Sequence, residues 1–226
     1  GLGRRLEGLD RVTLLELAVH HSHVCDHAAV LVELTVEDQR ARLGVAVRDW
    51  RIEMKRFYRK VFGLKVDFSS VAIADDPGGL DVELFVPKGM TENRAWAKIK
   101  ERFPARSDYG DDHDSMVPTN ERVATESYGK RFRPRVEADE ENKNLSANAL
   151  AERGGENITL LERFLLELWY HWKTGQHLDI QCITLCAGSR DHHGHVPGTY
   201  WYDGKFQVWD YNPGSCNDTL RARSAV

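Results

Sequence analysis

Between Cys186 and Cys216 the chain carries a dense mixture of side chains able to bind or react: His192, His193, His195, Tyr200, Tyr202, Gln207, Trp209, Tyr211, Ser215 and Cys216. No single chemistry unites them. Histidine is a common zinc ligand, so "DHHGH" (191–195) invites a metal reading, but no acidic or cysteine partner stands at a strong motif spacing from it. Further upstream, "SDYGDDHD" offers Asp108, Asp111, Asp112 and Asp114 as oxygen ligands for calcium. Their spacing fits no EF-hand loop and lacks its closing bidentate Glu, which favours a solvated loop. His20, His23 and His27 would share a helix face, with His23 and His27 at ligand-compatible i,i+4 spacing. A surface or packing cluster is the simpler reading there. The cysteines Cys25, Cys182, Cys186 and Cys216 form no zinc-ribbon pattern and read as free thiols. The sequence therefore predicts no resident metal and no cofactor.

Composition narrows the partners. A formal net charge of −4 over 226 residues gives no general attraction to nucleic acid or to anionic membrane. No apolar run is long enough to span a bilayer. A hydrophobic fraction of 41% beside a charged fraction of 29% is that of a globular chain with a real core.

The elements that must position these residues are legible to different degrees. Residues 1–63 read as a mostly helical N-terminal segment. Within it Leu43, Val47, Trp50, Met54, Phe57 and Val61 recur at three- and four-residue steps, and Gly63 supplies the stop. The opposite face, with Arg51, Lys55, Arg56, Arg59 and Lys60, reads as solvated. "VDFSSVAI" and "LDVELFVP" read as strands split by the turn Asp75–Gly79, and Thr91 opens a helix that Pro104 ends. A polar connector follows, partly helical. The clearest helix spans about Ile158–Lys173, where Thr159 and Glu162 have capping-box spacing and Gly175 ends the run; it carries no assigned chemistry. "HLDIQCITLCAGS" reads as a central strand.

A hairpin comes next, and its register can be derived. Asp203-Gly204 is the dipeptide that a two-residue type I′ turn requires, because both central residues need positive φ. Tyr202 then faces Lys205, Trp201 faces Phe206 and Tyr200 faces Gln207. Alternation puts Trp201, Phe206 and Val208 on a core face and Tyr200, Tyr202, Gln207, Trp209 and Tyr211 on the other. That second set is an aromatic, amphipathic surface of the kind enriched in binding hot spots. A second buried face of a sandwich is the alternative.

From "ITLLERFLLEL", "TGQHLDI", "ITLCAGSR", the Gly-Lys-Phe after the turn, "NPG" and the terminal "LRARSAV", residues 80–226 resemble the variable proteins of diversity-generating retroelements, in their archaeal and viral group. The resemblance implies an α+β domain of the C-type lectin fold, in the subtype shared with formylglycine-generating enzymes, over residues 64–226. It implies a variable ligand-binding region at about 187–219. A reverse transcriptase with errors at adenines would scatter AAC codons into residues such as Tyr, His, Ser and Cys. His192, His193, His195, Tyr200, Tyr202, Trp209, Tyr211, Ser215 and Cys216 would then be diversified positions, with Gln207 and Trp209 needing another adenine-bearing codon. The implied protein is not an enzyme. It binds a changeable macromolecular ligand on a host or neighbouring cell, displayed on a virion or cell surface, without nucleic-acid binding or membrane insertion. The alternatives are a formylglycine-generating type of thiol or metal enzyme using Cys186 or Cys216, and a calcium-dependent lectin.

Overall fold

A computed structural model describes residues 49–226 of the chain, which form one compact unit beginning at Asp49. The histidines at 20, 23 and 27, Cys25 and the residues Leu43 and Val47 lie outside the described residues.

Helix α1 (Trp50–Phe62) starts where the Asp49 carboxylate accepts the Ile52 N–H and ends at Gly63, whose φ of 69° is the left-handed conformation of a helix stop. Trp50, Met54, Phe57 and Val61 are buried, as their spacing predicts. They enter the same core as strand β1 (Val82–Val86), and the Tyr58 hydroxyl donates to the Phe85 carbonyl at 2.8 Å. The expected boundary at residue 63 thus moves: this helix belongs to the same compact unit as residues 64–226, because its apolar stripe is buried in that unit's core. Arg51 also departs from the solvated face expected of it. It donates to the carbonyls of Phe68 and Val71, with its guanidinium 5.1 Å from the Phe85 ring centre. Those bonds hold 66–73 as an irregular segment where a strand was expected.

Helix α2 (Glu92–Arg102), capped by Thr91, leads into the three-residue strand β2 (Ala105–Ser107). The short helix α3 (His113–Met116) and the strands β3 (Thr119–Asn120) and β4 (Tyr128–Phe132) follow. A 3-10 turn (Glu140–Asn142), helix α4 (Ala147–Arg153) and strand β5 (Glu156–Asn157) make up the polar connector. Helix α5 (Leu160–Thr174) has the complete capping box of Thr159 and Glu162 and ends at Gly175. The remaining strands are β6 (Ile183–Leu185), β7 (Ser189–Arg190), β8 (Val196–Tyr202), β9 (Lys205–Tyr211), β10 (Leu220–Ala222) and β11 (Ser224–Ala225).

The principal sheet has the order β10-β6-β8-β9-β2, parallel at both edge pairs and antiparallel between them. The pairs β1–β4, β5–β11 and β3–β7 form three small antiparallel sheets. This is a mixed α+β architecture. One face of the principal sheet packs on α2 and α5, where Phe206 meets Phe164, Trp96 and Phe103. A second, smaller cluster joins Ala147 and Leu150 of α4 to Leu185, Val196, Leu220 and Ala222.

Two expectations need correction here. The run 177–189 yields the three-residue strand β6 and, at its last residue, the start of β7. Upstream of β6 the N–H groups of Ile180, Gln181 and Cys182 are taken by the Glu137 carboxylate, and Asp179 turns the chain with a φ of 55°. Backbone donors satisfied by a side chain have no strand to pair with. Helix α5, to which the sequence assigns no chemistry, buries Glu162, Arg163 and Glu167 completely. Arg163 donates through Nε to Asp179 at 2.9 Å and through a terminal nitrogen to Glu167 at 2.9 Å. Arg223 reaches the other Asp179 oxygen at 2.6 Å, and Thr184 donates to Asp179 at 2.5 Å.

Candidate functional site

The β8–β9 hairpin has the derived register, with Tyr202 opposite Lys205, Trp201 opposite Phe206 and Tyr200 opposite Gln207. Asp203 and Gly204 both take positive φ, 50° and 69°. Alternation then separates two environments. Phe206 and Val208 are fully buried, and Trp201 is half-buried, stacked on His177 and edge-on to Phe103. On the other face Tyr202 is 63% exposed, while Tyr200, Trp209 and Tyr211 are half-buried with their outer edges accessible.

The face is held by a short set of contacts. Tyr200 and Tyr202 lie with ring centres 6.1 Å apart. Gln207, expected to be displayed, is instead only 8% exposed. Its amide donates to the Tyr202 carbonyl at 3.2 Å and its oxygen accepts from the Trp209 indole at 3.0 Å. A buried amide with both ends engaged braces the aromatic residues and has nothing left for a ligand. Tyr211 lies across Gly198: a Cβ at that glycine would fall 2.5 Å from the ring. Burial, reinforced by Tyr200, Asp108 and Asp210, pushes the Tyr211 phenol up to about 12, and burial likewise raises Tyr200. Both phenols therefore remain neutral hydrogen-bonding groups at physiological pH.

Sequence reasoning missed Arg106. Strand β2 runs parallel to β9 and sets Arg106 opposite Gln207, with its guanidinium 4.7 Å from the Trp209 ring centre. A parallel edge pairing between residues a hundred positions apart leaves no local signal. The resulting face combines phenols, an indole and a guanidinium, a set suited to contact area and adaptable hydrogen bonds.

The rim residues are more dispersed. His192 and His193 are exposed in the loop before β8. His195 is half-buried and its Nδ1 lies 2.9 Å from Asp210. Ser215 and Cys216 sit in the loop after β9, which the Asn148 N–H to Pro213 carbonyl bond ties to α4, and not on the strand face. The acidic loop brings its carboxylates to separate partners: Asp111 accepts from Trp96 and Lys100, Asp112 from Asn93 and the Ser115 N–H, and Asp114 from the Asn93 N–H. Asp108 faces Arg106. Among the described residues, side chains gathered closely enough to hold an ion are Glu137–Asp179–Cys182 and Asp191–His195–Asp210. The first group is occupied by the arginine and backbone bonds described above.

The two buried thiols, Cys182 and Cys186, are poorly suited to chemistry. Cys186 is fully buried and Cys182 nearly so, and burial pushes both well above the ordinary thiol range. Cys216 is exposed and unpaired.

A concavity of about 300 Å³ lies beside α2, lined by Glu92, Asp114, Asn120, Arg122 and Leu161 among others. Glu92 is 4% exposed and one of its carboxylate oxygens has no partner. Burial, with the Asp114 charge added, pushes its carboxyl up to about 8. A raised acid is held protonated by the fold, so its contribution to stability is complete below the ordinary value of 4.5 and is lost as pH rises through 8. Thermal melts between pH 5 and 9 are expected to show Glu92→Gln gaining on the parent protein as pH rises. Equal slopes for the two proteins would rule this out.

No family model, curated protein or solved structure matches the chain. Among the described residues no helix is long and apolar enough to cross a membrane.

Proposed function

We propose that the described domain is a ligand-binding scaffold whose C-terminal hairpin face recognises a macromolecule, and that this face is retargeted by a diversity-generating retroelement. The reading includes a C-type lectin fold of the subtype shared with formylglycine-generating enzymes, and display on a virion or cell surface. What supports it above all is the separation of faces in the hairpin: Tyr200, Tyr202, Trp209 and Tyr211 are accessible on one side while Phe206 and Val208 are buried on the other. Changes at the exposed Tyr202 create no core cavity and strand no buried polar group, whereas a change at Trp209 must also accommodate the Gln207 amide oxygen that its indole satisfies. Aromatic side chains with few rotatable bonds bind at modest ordering cost on such a rigid support. Gln207 drops out of the contact set and acts as a brace, whereas Arg106 joins it.

Thiol chemistry of the formylglycine-generating kind is disfavoured by burial of Cys186, whose thiolate would be unstable there. A calcium-dependent sugar site built on Trp201-Tyr202-Asp203 is disfavoured because Asp203 forms the hairpin turn.

The test lies in the DNA beside the gene. A near-copy of its 3′ end is expected downstream, close to a reverse-transcriptase gene, with differences confined to adenines of the copy. Differences spread over all four bases, or falling on the Phe206 and Val208 codons, would sink the reading.

A further inference from the structure

The structure assigns a second binding site to the end of the hairpin away from its turn: Asp191, His195 and Asp210 form a three-donor site for a divalent cation of the zinc class. His195 and Asp191 stand four residues apart in the loop before β8, and the pairing of β8 with β9 brings Asp210 against them. The His195 Nδ1 lies 2.9 Å from one Asp210 oxygen and 3.9 Å from one Asp191 oxygen, and the three donors all lie within 4.8 Å of one another. Zinc–ligand bonds of about 2.0–2.1 Å in tetrahedral geometry separate neighbouring donors by about 3.3 Å. The two histidine distances bracket that spacing, so the two pairs that include His195 reach it with shifts of about half an ångström, and the carboxylates, within 4.8 Å of each other, close on the ion as it binds.

The condition of Asp191 points to a ligand independently of this grouping. Its side chain is 3% exposed. One oxygen is fixed by the N–H groups of His193 and His195, both at 2.8 Å. The other, which faces His195, has only the Tyr109 hydroxyl at 3.5 Å, and that hydroxyl is itself buried. Such a contact is far longer than the usual 2.7–2.8 Å of an O–H···O bond, so a buried carboxylate oxygen is left close to unpartnered. A cation would satisfy it.

Donor type sets the class of ion. One imidazole nitrogen with two carboxylates suits a borderline metal in a site of three protein ligands with one position open, whereas calcium takes six to eight oxygens. Two carboxylates neutralise the ion, and on binding it takes the place of the contact between His195 Nδ1 and Asp210. His195 and Asp210 are 35% and 43% exposed, so the open position faces solvent. This site stands whether or not the aromatic face binds a macromolecule.

The whole chain, stripped with a chelator, would be titrated calorimetrically with zinc chloride beside His195→Ala and Asp210→Asn, and cobalt(II) absorbance would report the coordination. Both replaced side chains are partly exposed, so the metal-free variants are expected to melt with the parent. The parent is expected to bind one zinc equivalent more than either variant, or to bind it more than about tenfold tighter, the least that losing even an outer partner costs. Cobalt should give the intense visible bands of four-coordination, weakened in both variants. The N-terminal histidines and Cys216 are common to all three proteins, so zinc they bind cancels in the comparison. Identical isotherms for parent and variants would overturn the site, as would calcium binding at these residues in preference to zinc.

Discussion

Asp179→Asn is expected to lower the stability of the domain by about 3–5 kcal/mol, the loss typical when one partner of a buried ion pair is removed. Denaturant unfolding followed by tryptophan fluorescence measures it. Asparagine keeps the shape and tolerates the φ of 55° at this position, so backbone strain does not contribute. What changes is charge. Two buried guanidinium groups, Arg163 and Arg223, face two buried carboxyl groups, Asp179 and Glu167, and the substitution leaves a cation in excess. Burial by itself would raise the Asp179 carboxyl, but Arg223, Arg163 and the Thr184 hydroxyl outweigh it and hold the group below its ordinary value. A lowered carboxylate stabilises fully above its ordinary 3.8 and loses that contribution as pH falls towards the folded value. The parent should therefore lose the advantage over Asp179→Asn only below about pH 4. A deficit under 1 kcal/mol at neutral pH would show that the cluster is not what secures the sheet to α5. The effect should extend to the binding face, since the Trp201 N–H donates to the Asp179 carbonyl at 2.9 Å.

Phe206→Ala should cost about 3–5 kcal/mol, while Tyr202→Ala, on the same hairpin, should stay within about 0.5 kcal/mol. Phe206 has no exposed surface and contacts the Phe164, Phe103 and Trp96 rings, with the Arg163 guanidinium 5.4 Å from its centre. Tyr202 keeps most of its surface in water. Equilibrium unfolding of the two variants measures the contrast. Comparable losses would mean that the two faces are not separate.

What was legible in the sequence follows from the range of the forces involved. Helices α1, α2 and α5 were readable because capping groups and apolar spacing lie within one or two turns, as at Thr159, Glu162 and Gly175. The hairpin was readable because Asp203-Gly204 dictates a turn, and the turn dictates the register. The unreadable parts depend on partners distant in sequence. Glu137 intercepts the backbone donors of 180–182, Arg51 occupies the carbonyls of 68 and 71, and Asp179 draws in Arg163 and Arg223 from either side. The candidate site divides the same way. Alternation found the aromatic residues, but it could not tell that Gln207 would be roofed over or that β2 would deliver Arg106. Nor could it place Asp210 beside Asp191 and His195, since only strand pairing brings these residues together.

Gly198 has one further consequence. It pairs with Trp209 through main-chain atoms alone and supplies no side chain beneath the Tyr211 ring. The relief of the face at that point is therefore set mainly by position 211, with the Ile183 side chain beside it. A small residue there would open a trench floored by the Gly198 backbone and walled by Ile183, and a large one would fill the trench level with its surroundings. Topography can be rewritten by one side chain while the strand pairing underneath stays as it is.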